Sequence, residues 1–149
     1  MGLKVGEVIP LFTLPDRTGK LFSIKDLLGK TPFVIYFYPK NNTPGCTKEA
    51  CDFRDKYEDF KRIGAEVVGI SADSEKSHAA FSNKYQLPFI LLSDKGNRVR
   101  KQFKIKNSLL LVPGRETYVI DKNGKVCMVF NSLNASEHMK RALLALTKK

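Results

Sequence analysis

The sequence predicts an α/β fold: a mixed central sheet flanked by helices, preceded by a hairpin, in one domain spanning 1–149. Three observations carry this. The run FVIYFY, Phe33 to Tyr38, has no polar face and is rich in β-formers, as a strand buried on both sides must be. Downstream, segments of strand composition alternate with segments whose apolar residues recur every three or four positions. Near the end, Asn123-Gly124 separates two short apolar runs, a strong signal for an antiparallel hairpin.

Taken in order, Phe12 to Phe22 reads as a first hairpin with Asp16-Arg17-Thr18-Gly19 at its tip. Pro39 ends the central strand, because proline cannot donate to a ladder. After a polar loop, Lys40 to Thr43, the stretch Pro44 to Arg62 reads as one helix. Thr43 fits its N-cap, Pro44 its first position, and Phe53, Tyr57 and Phe60 one apolar face. Glu66 to Ser71 is a strand. Ser74 caps a helix reaching Tyr85, with Ala79, Ala80 and Phe81 turned to the core and His78 on the surface. Phe89 to Leu92 is a short strand, in which Pro88 only shapes the start. Asn97 to Phe103 is a short basic helix. Thr117 to Asp121 and Val126 to Phe130 are the late hairpin, which places Cys127 in the core or at an edge. Asn134 to Leu146 is the last helix, with His138 on its surface. A βαβ unit, a helix and a ββα unit in this order make a thioredoxin-like fold.

Composition narrows the function classes. The chain has 149 residues, 42% hydrophobic and 28% charged, which suits one globular core. No apolar run approaches the roughly 20 residues of a membrane-spanning helix, so no membrane insertion is expected. The start, MGLKVGEVIP, does not read as a secretory signal or as an Arg- and Ser-rich transit peptide. The net charge of +11 comes from 26 basic and 15 acidic residues spread along the chain, densest from Arg98 to Lys106, with no nucleic-acid-binding motif. It reads as a solvated basic surface rather than a specific nucleic-acid site. Three cysteines are an odd number for a disulfide scaffold, and the positions of Cys46, Cys51, Cys127, His78 and His138 lack zinc-site spacing. A structural zinc site is not expected.

Cys46 falls in the first turn of the predicted helix, where unpaired backbone N–H groups carry about half a positive charge. Such a position favours the thiolate, which is the nucleophilic form. Gly45 beside it leaves room for a small molecule to reach the sulfur, and Thr43 offers a hydroxyl one turn back. Position alone leaves a buried structural cysteine equally open.

The local string decides further. Residues 39–46 read PKNNTPGC, which matches the P-x-x-x-T/S-x-x-C signature of peroxiredoxins. The longer string TPGCTKEACDFRD, residues 43–55, closely resembles the Q-type peroxiredoxins, also called bacterioferritin comigratory proteins. The likeness continues through AEVVGIS, YQLPFILLSD and PGRETYVID and covers nearly the whole chain. The resemblance implies a thiol peroxidase that uses no metal and no bound organic cofactor. Cys46 matches the peroxidatic cysteine, Thr43 the hydroxyl that bonds sulfur and peroxide, and Pro39 the residue that shields the thiolate from water. Arg115 matches the distant arginine that lies near the sulfur, and Cys51 the resolving cysteine. Arginine stays charged at any working pH and can hold a thiolate, while its fork donates to peroxide oxygens. Nucleophilicity falls with thiol acidity, so donors preorganised for the transition state must supply most of the rate.

The resemblance also implies an intramolecular Cys46–Cys51 disulfide, reduced by thioredoxin or a similar dithiol. Residues five apart on an intact helix have Cα atoms about 8.6 Å apart, whereas a disulfide needs at most about 7 Å. The helix start is therefore expected to unwind during resolution. Residues 46–49 read CTKE, which disfavours a C-x-x-C thiol–disulfide oxidoreductase. The chain ends at Thr147-Lys148-Lys149, without the extension that carries the resolving cysteine of dimeric relatives, so a monomer is expected. Likeness to bacterial and plastid members alike suggests a bacterial cytoplasm, or a chloroplast if a transit peptide has been removed.

Overall fold

A computed structural model describes residues 2–105 and 115–147. Lys106 of the basic stretch, Pro113 and Gly114 of the PGRETY string, and the final Lys148 and Lys149 lie outside the described residues. The first hairpin pairs β1 (Thr13–Pro15) with β2 (Leu21–Ser23), Thr13 opposite Ser23. Asp16 closes its tip by accepting from the Thr18 and Lys20 backbone N–H groups.

The main sheet is built on β3 (Phe33–Phe37), every residue of which is buried. β3 runs parallel to β4 (Glu66–Ser71) on one side, and β4 runs parallel to β5 (Ile90–Ser93). On its other side β3 pairs antiparallel with β6 (Glu116–Ile120), and β6 with the edge strand β7 (Val126–Asn131), giving the order β5-β4-β3-β6-β7. Gly124 takes φ of 88° in the turn between β6 and β7, a conformation that favours glycine. Cys127 sits exposed on this edge strand.

Side chains alternate along β3, so one strand feeds two cores. Phe33, Ile35 and Phe37 join Val68, Ile70, Tyr118 and Ile120 on one face, covered by Phe12 and Leu14 of the N-terminal segment and by Phe103. Phe103 follows α4 (Arg98–Gln102). Val34, Tyr36 and Tyr38 face the other way, into a layer made by α1 (Pro44–Asp55), α2 (Tyr57–Arg62), α3 (Glu75–Tyr85) and α5 (His138–Thr147). No helix among the described residues is long and apolar enough to cross a membrane.

Four expectations need correction. The helix from Pro44 to Arg62 is two helices, because the backbone leaves helical geometry at Lys56, with φ −108° and ψ 7°. The break lets Phe53 and Phe60 both reach the core while the Tyr57 hydroxyl donates to Glu66 at 2.8 Å. The last helix begins as a single 3-10 turn, Ala135–Glu137, before α5. Ala80 is exposed, since His78, Phe81 and Ser82 form the buried face of α3. Finally, His78 and His138 are fully buried, not on the surface, and each is held by hydrogen bonds.

Candidate active site

Cys46 is the third residue of α1, buried against Tyr36 and Phe53 on the helical side of the sheet. Thr43 occupies the N-cap position with extended backbone, but its side chain does not cap. Its hydroxyl donates instead to the Lys40 carbonyl at 2.9 Å, which folds the loop back on itself. Pro39, half-buried, stands between the end of β3 and this loop.

The loop is pinned from the side. Asn41 accepts from the Tyr38 hydroxyl at 2.6 Å, and its own amide lies 3.1 Å from both Ser77 Oγ and His78 Nδ1. Its backbone N–H donates to Asp73 at 2.9 Å. The start of α1 is thereby tied to the start of α3 through buried polar contacts, the kind that rigidify when fully paired.

Arg115, just ahead of β6, reaches the sulfur. Its Nη2 donates to Cys46 Sγ at 3.3 Å, and its Nη1 donates to Glu49 Oε1 in a tight ion pair. The guanidinium and carboxylate side chains are 6% and 0% exposed, so the pair is effectively dry. Such a pair is costly to break by removing one partner. Gly45 has a role that the sequence did not suggest. A Cβ there would stand 3.0 Å from Arg115 Nη2, so the absent side chain makes room for the guanidinium as much as for a substrate.

Glu49 and His138 escaped the sequence reading. Glu49 lies one turn after Cys46 on the buried face of α1. Burial pushes its carboxyl up to about 8, against the opposing pull of Arg115. Its second oxygen, Oε2, has no hydrogen-bond partner among the described residues and faces His138 Nδ1 at 3.6 Å. His138 Nε2 is 2.8 Å from the Ser132 carbonyl, an acceptor, so Nε2 carries the proton. Nδ1 then accepts from the Thr117 hydroxyl at 2.7 Å. Burial, aided by the nearby Arg115 charge, lowers His138 to about 4, which keeps the ring neutral near pH 7. Beneath the site, Tyr36 stacks on Phe53 with ring centroids 4.7 Å apart, and burial keeps its hydroxyl un-ionised.

Cys51 lies on the same unbroken helix as Cys46, so the two thiols are not in disulfide geometry. It is half-buried, and burial raises its thiol above the ordinary range. Among the described residues no cluster of His, Cys, Asp and Glu side chains could hold a metal ion.

A buried cysteine at a helix start, bonded by an arginine just ahead of a remote strand of a thioredoxin-like sheet, invites comparison with known proteins. A family model described as AhpC/TSA matches residues 5–129. The chain belongs to this family. It is 58% identical over 128 residues to the chloroplastic peroxiredoxin Q of Sedum lineare, a match covering 85% of this chain and 68% of that protein. It is 55% identical to the chloroplastic peroxiredoxin Q of Populus jackii, covering 60% of that protein. The chain thus spans less than two thirds of the length of several curated relatives. Among solved structures it resembles peroxidoxin BcpB from Mycobacterium tuberculosis, with TM-score 0.91, 41% identity and 97% of both chains covered. It likewise resembles Xanthomonas campestris peroxiredoxin Q, with TM-score 0.86, 32% identity, and 94% and 96% covered. Peroxiredoxins are peroxidases of the oxidoreductase class, and the expected fold and family both stand.

Proposed function

We propose that this chain reduces hydroperoxides with Cys46 as the attacking thiolate. The observation that carries the reading is the contact of Arg115 Nη2 with the buried Cys46 Sγ at 3.3 Å at a helix start. The thiolate attacks one peroxide oxygen, the O–O bond breaks, and the sulfur becomes a sulfenic acid. Arg115 stays charged throughout and donates where negative charge moves from sulfur to the departing oxygen. Thr43 turns its hydroxyl from Lys40 to the sulfur and peroxide once substrate enters, and Pro39 keeps bulk water from that side.

Cys51 then resolves the sulfenic acid as an intramolecular disulfide, which requires the first turns of α1 to unwind. Unwinding also removes the burial that disfavours the Cys51 thiolate, so the resolving thiol gains reactivity as it gains reach. Thioredoxin or a similar dithiol returns both cysteines to the reduced state. The chain works as a monomer in a bacterial cytoplasm or a plastid, without metal or organic cofactor. The +11 charge is a solvated surface and not a nucleic-acid site.

Stopped-flow mixing of reduced chain with hydrogen peroxide, followed by thiol mapping, tests this. The expected result is rapid loss of the Cys46 thiol, with a Cys46–Cys51 disulfide as product. Cys46→Ser is expected to abolish peroxide consumption. Turnover near the parent rate by that variant would remove the proposal.

A further inference from the structure

Arg115 is one cation held between two groups that can each be an anion. Nη1 serves Glu49 and Nη2 serves Cys46, and all three side chains are buried. A thiolate, a carboxylate and one guanidinium would leave a net negative charge in a dry pocket, which low-dielectric burial opposes strongly. One proton shared between the two acids removes that charge. The geometry supplies a place for it. Glu49 Oε2 has no donor to satisfy it among the described residues, and the atom it faces, His138 Nδ1, already accepts from Thr117 and has no proton to give. That electron-rich nitrogen, 3.6 Å from Oε2, disfavours a carboxylate there and tolerates a neutral acid.

We propose that Glu49 is the proton store of the peroxidase step: one proton is shared between Cys46 and Glu49 across Arg115, with His138 positioned to favour its place on Glu49. The inference rests on the reading of Cys46 as the attacking thiolate. In the reduced state Cys46 is the thiolate and Glu49 the neutral acid. The thiolate sulfur takes one oxygen of the peroxide as the O–O bond breaks, and the hydroxide that departs leaves as water with the proton Glu49 held. Thiolate, peroxide and carboxylic acid become sulfenic acid, water and carboxylate, with charge −1 on both sides. Glu49 and Arg115 then form a charged pair beside a neutral sulfur, and the step itself draws no proton from bulk solvent.

The groups facing Glu49 are consistent with this. Tyr36 of β3 and Tyr38 just after it are buried and neutral, with their hydroxyls held well above the ordinary range by burial. From α5, His138 is neutral. Asp52, on α1 itself, opposes ionisation of Glu49, although Lys48 pairs with it at 3.2 Å. Arg115 is the one cation in direct contact with Glu49 among the described residues.

The test uses a Cys51→Ser background, so that sulfenic acid persists. The Cys46 thiolate is measured by ultraviolet absorbance as the difference from the Cys46→Ser form. Proton exchange with bulk is measured with an indicator dye in weak buffer during a stoichiometric peroxide pulse. Above pH 8, where the Glu49 carboxyl stays ionised once the sulfur is neutral, the expected result is a thiolate that takes up far less than one bulk proton per sulfenic acid formed. The oxidised-minus-reduced infrared spectrum should show loss of a protonated-carboxyl band. Glu49→Gln should take up one full proton, lack that band, and move the midpoint of thiolate formation to lower pH. His138→Asn, whose amide N–H can face Oε2 where Nδ1 stood, should move the midpoint to higher pH while peroxide attack continues.

Full proton uptake by the chain retaining Glu49, with no carboxyl band lost, overturns the proposal even if Glu49→Gln does not fold. Shifts of the same sign in the two variants overturn the role of His138. Peroxide turnover by Cys46→Ser would instead overturn the underlying reading of the site.

Discussion

Protonation of the Glu49–His138 pair makes a sharp prediction about stability and pH. Burial raises Glu49 from 4.5 to about 8 and lowers His138 from 6.5 to about 4. Between pH 4.5 and 6.5 the native pair holds one proton, on Glu49, and the unfolded pair also holds one, on His138. Its contribution to stability is therefore flat there. Above pH 6.5 the unfolded pair holds none while the native pair keeps its proton until about 8, so stability falls as pH rises. The span of about one and a half units, at about 1.4 kcal/mol per unit, gives a loss of about 2 kcal/mol. The measurement is urea unfolding followed by circular dichroism across pH, in Cys46→Ser so that no thiolate contributes. The comparison is Cys46→Ser with Glu49→Gln added, in which only His138 titrates. That double variant should gain stability from pH 4 to 6.5 and then level off. Parallel pH profiles for the two proteins would refute the reasoning.

Other perturbations separate position from chemistry. Arg115→Ala should slow peroxide attack by about two orders of magnitude, a typical loss for one preorganised donor. It should also cost stability, because Glu49 is left buried without its cation; a second-order rate constant within threefold of the parent, measured by stopped flow, would show that the contact is idle. Gly45→Ala would press a methyl on Nη2 at 3.0 Å and should slow peroxide attack by about an order of magnitude while melting temperature holds. Cys51→Ser should react once with peroxide, accumulate sulfenic acid and fail to recycle with thioredoxin. Hydrogen exchange on residues 44–52 should rise on oxidation of the parent chain; equal protection in both states, or a mapped Cys46–Cys127 disulfide, would exclude local unwinding.

What the sequence disclosed, and what it hid, follows from how side chains signal burial. β3 was legible because a strand buried on both faces has no polar position to disguise it. The hairpin between β6 and β7 was legible because its turn needs the positive φ that Gly124 adopts. Cys46 stood out by its place after Pro44. Glu49, His78 and His138 were missed because a charged or polar residue on a helix is normally read as solvent-facing. The correcting signal was spacing. Cys46, Glu49, Ala50 and Phe53 form one stripe at intervals of three and four, so a glutamate stands inside the buried face of α1. His138, Ala142 and Leu146 form a similar stripe on α5, and His78 shares a face with Phe81 and Ser82 on α3. Pairing Arg115 with Glu49, 66 positions apart, depended on the β3–β6 register, which no local pattern encodes.

On the proposed reading, the same contacts explain why α1 can open at its start without the domain coming apart. While Cys46 is a thiolate, Arg115 holds the first turn by a charge-assisted bond, which is about twice as strong as a neutral one. Oxidation turns the sulfur neutral and lets Arg115 settle wholly on Glu49, so the tie is weakest at the moment Cys51 must reach Cys46. Deeper along the helix the restraint is apolar and indifferent to redox state. Phe53 is buried, stacks on Tyr36 and packs within 5.7 Å of Phe60 between ring centroids. Losing Phe53 from the core would cost about 3–5 kcal/mol, more than a weakened hydrogen bond can supply. Unwinding should therefore run from Pro44 through Cys51, with Glu49 still tethered by its side chain to Arg115, and stop short of Phe53, which is enough to close the eight or so ångströms between the cysteines.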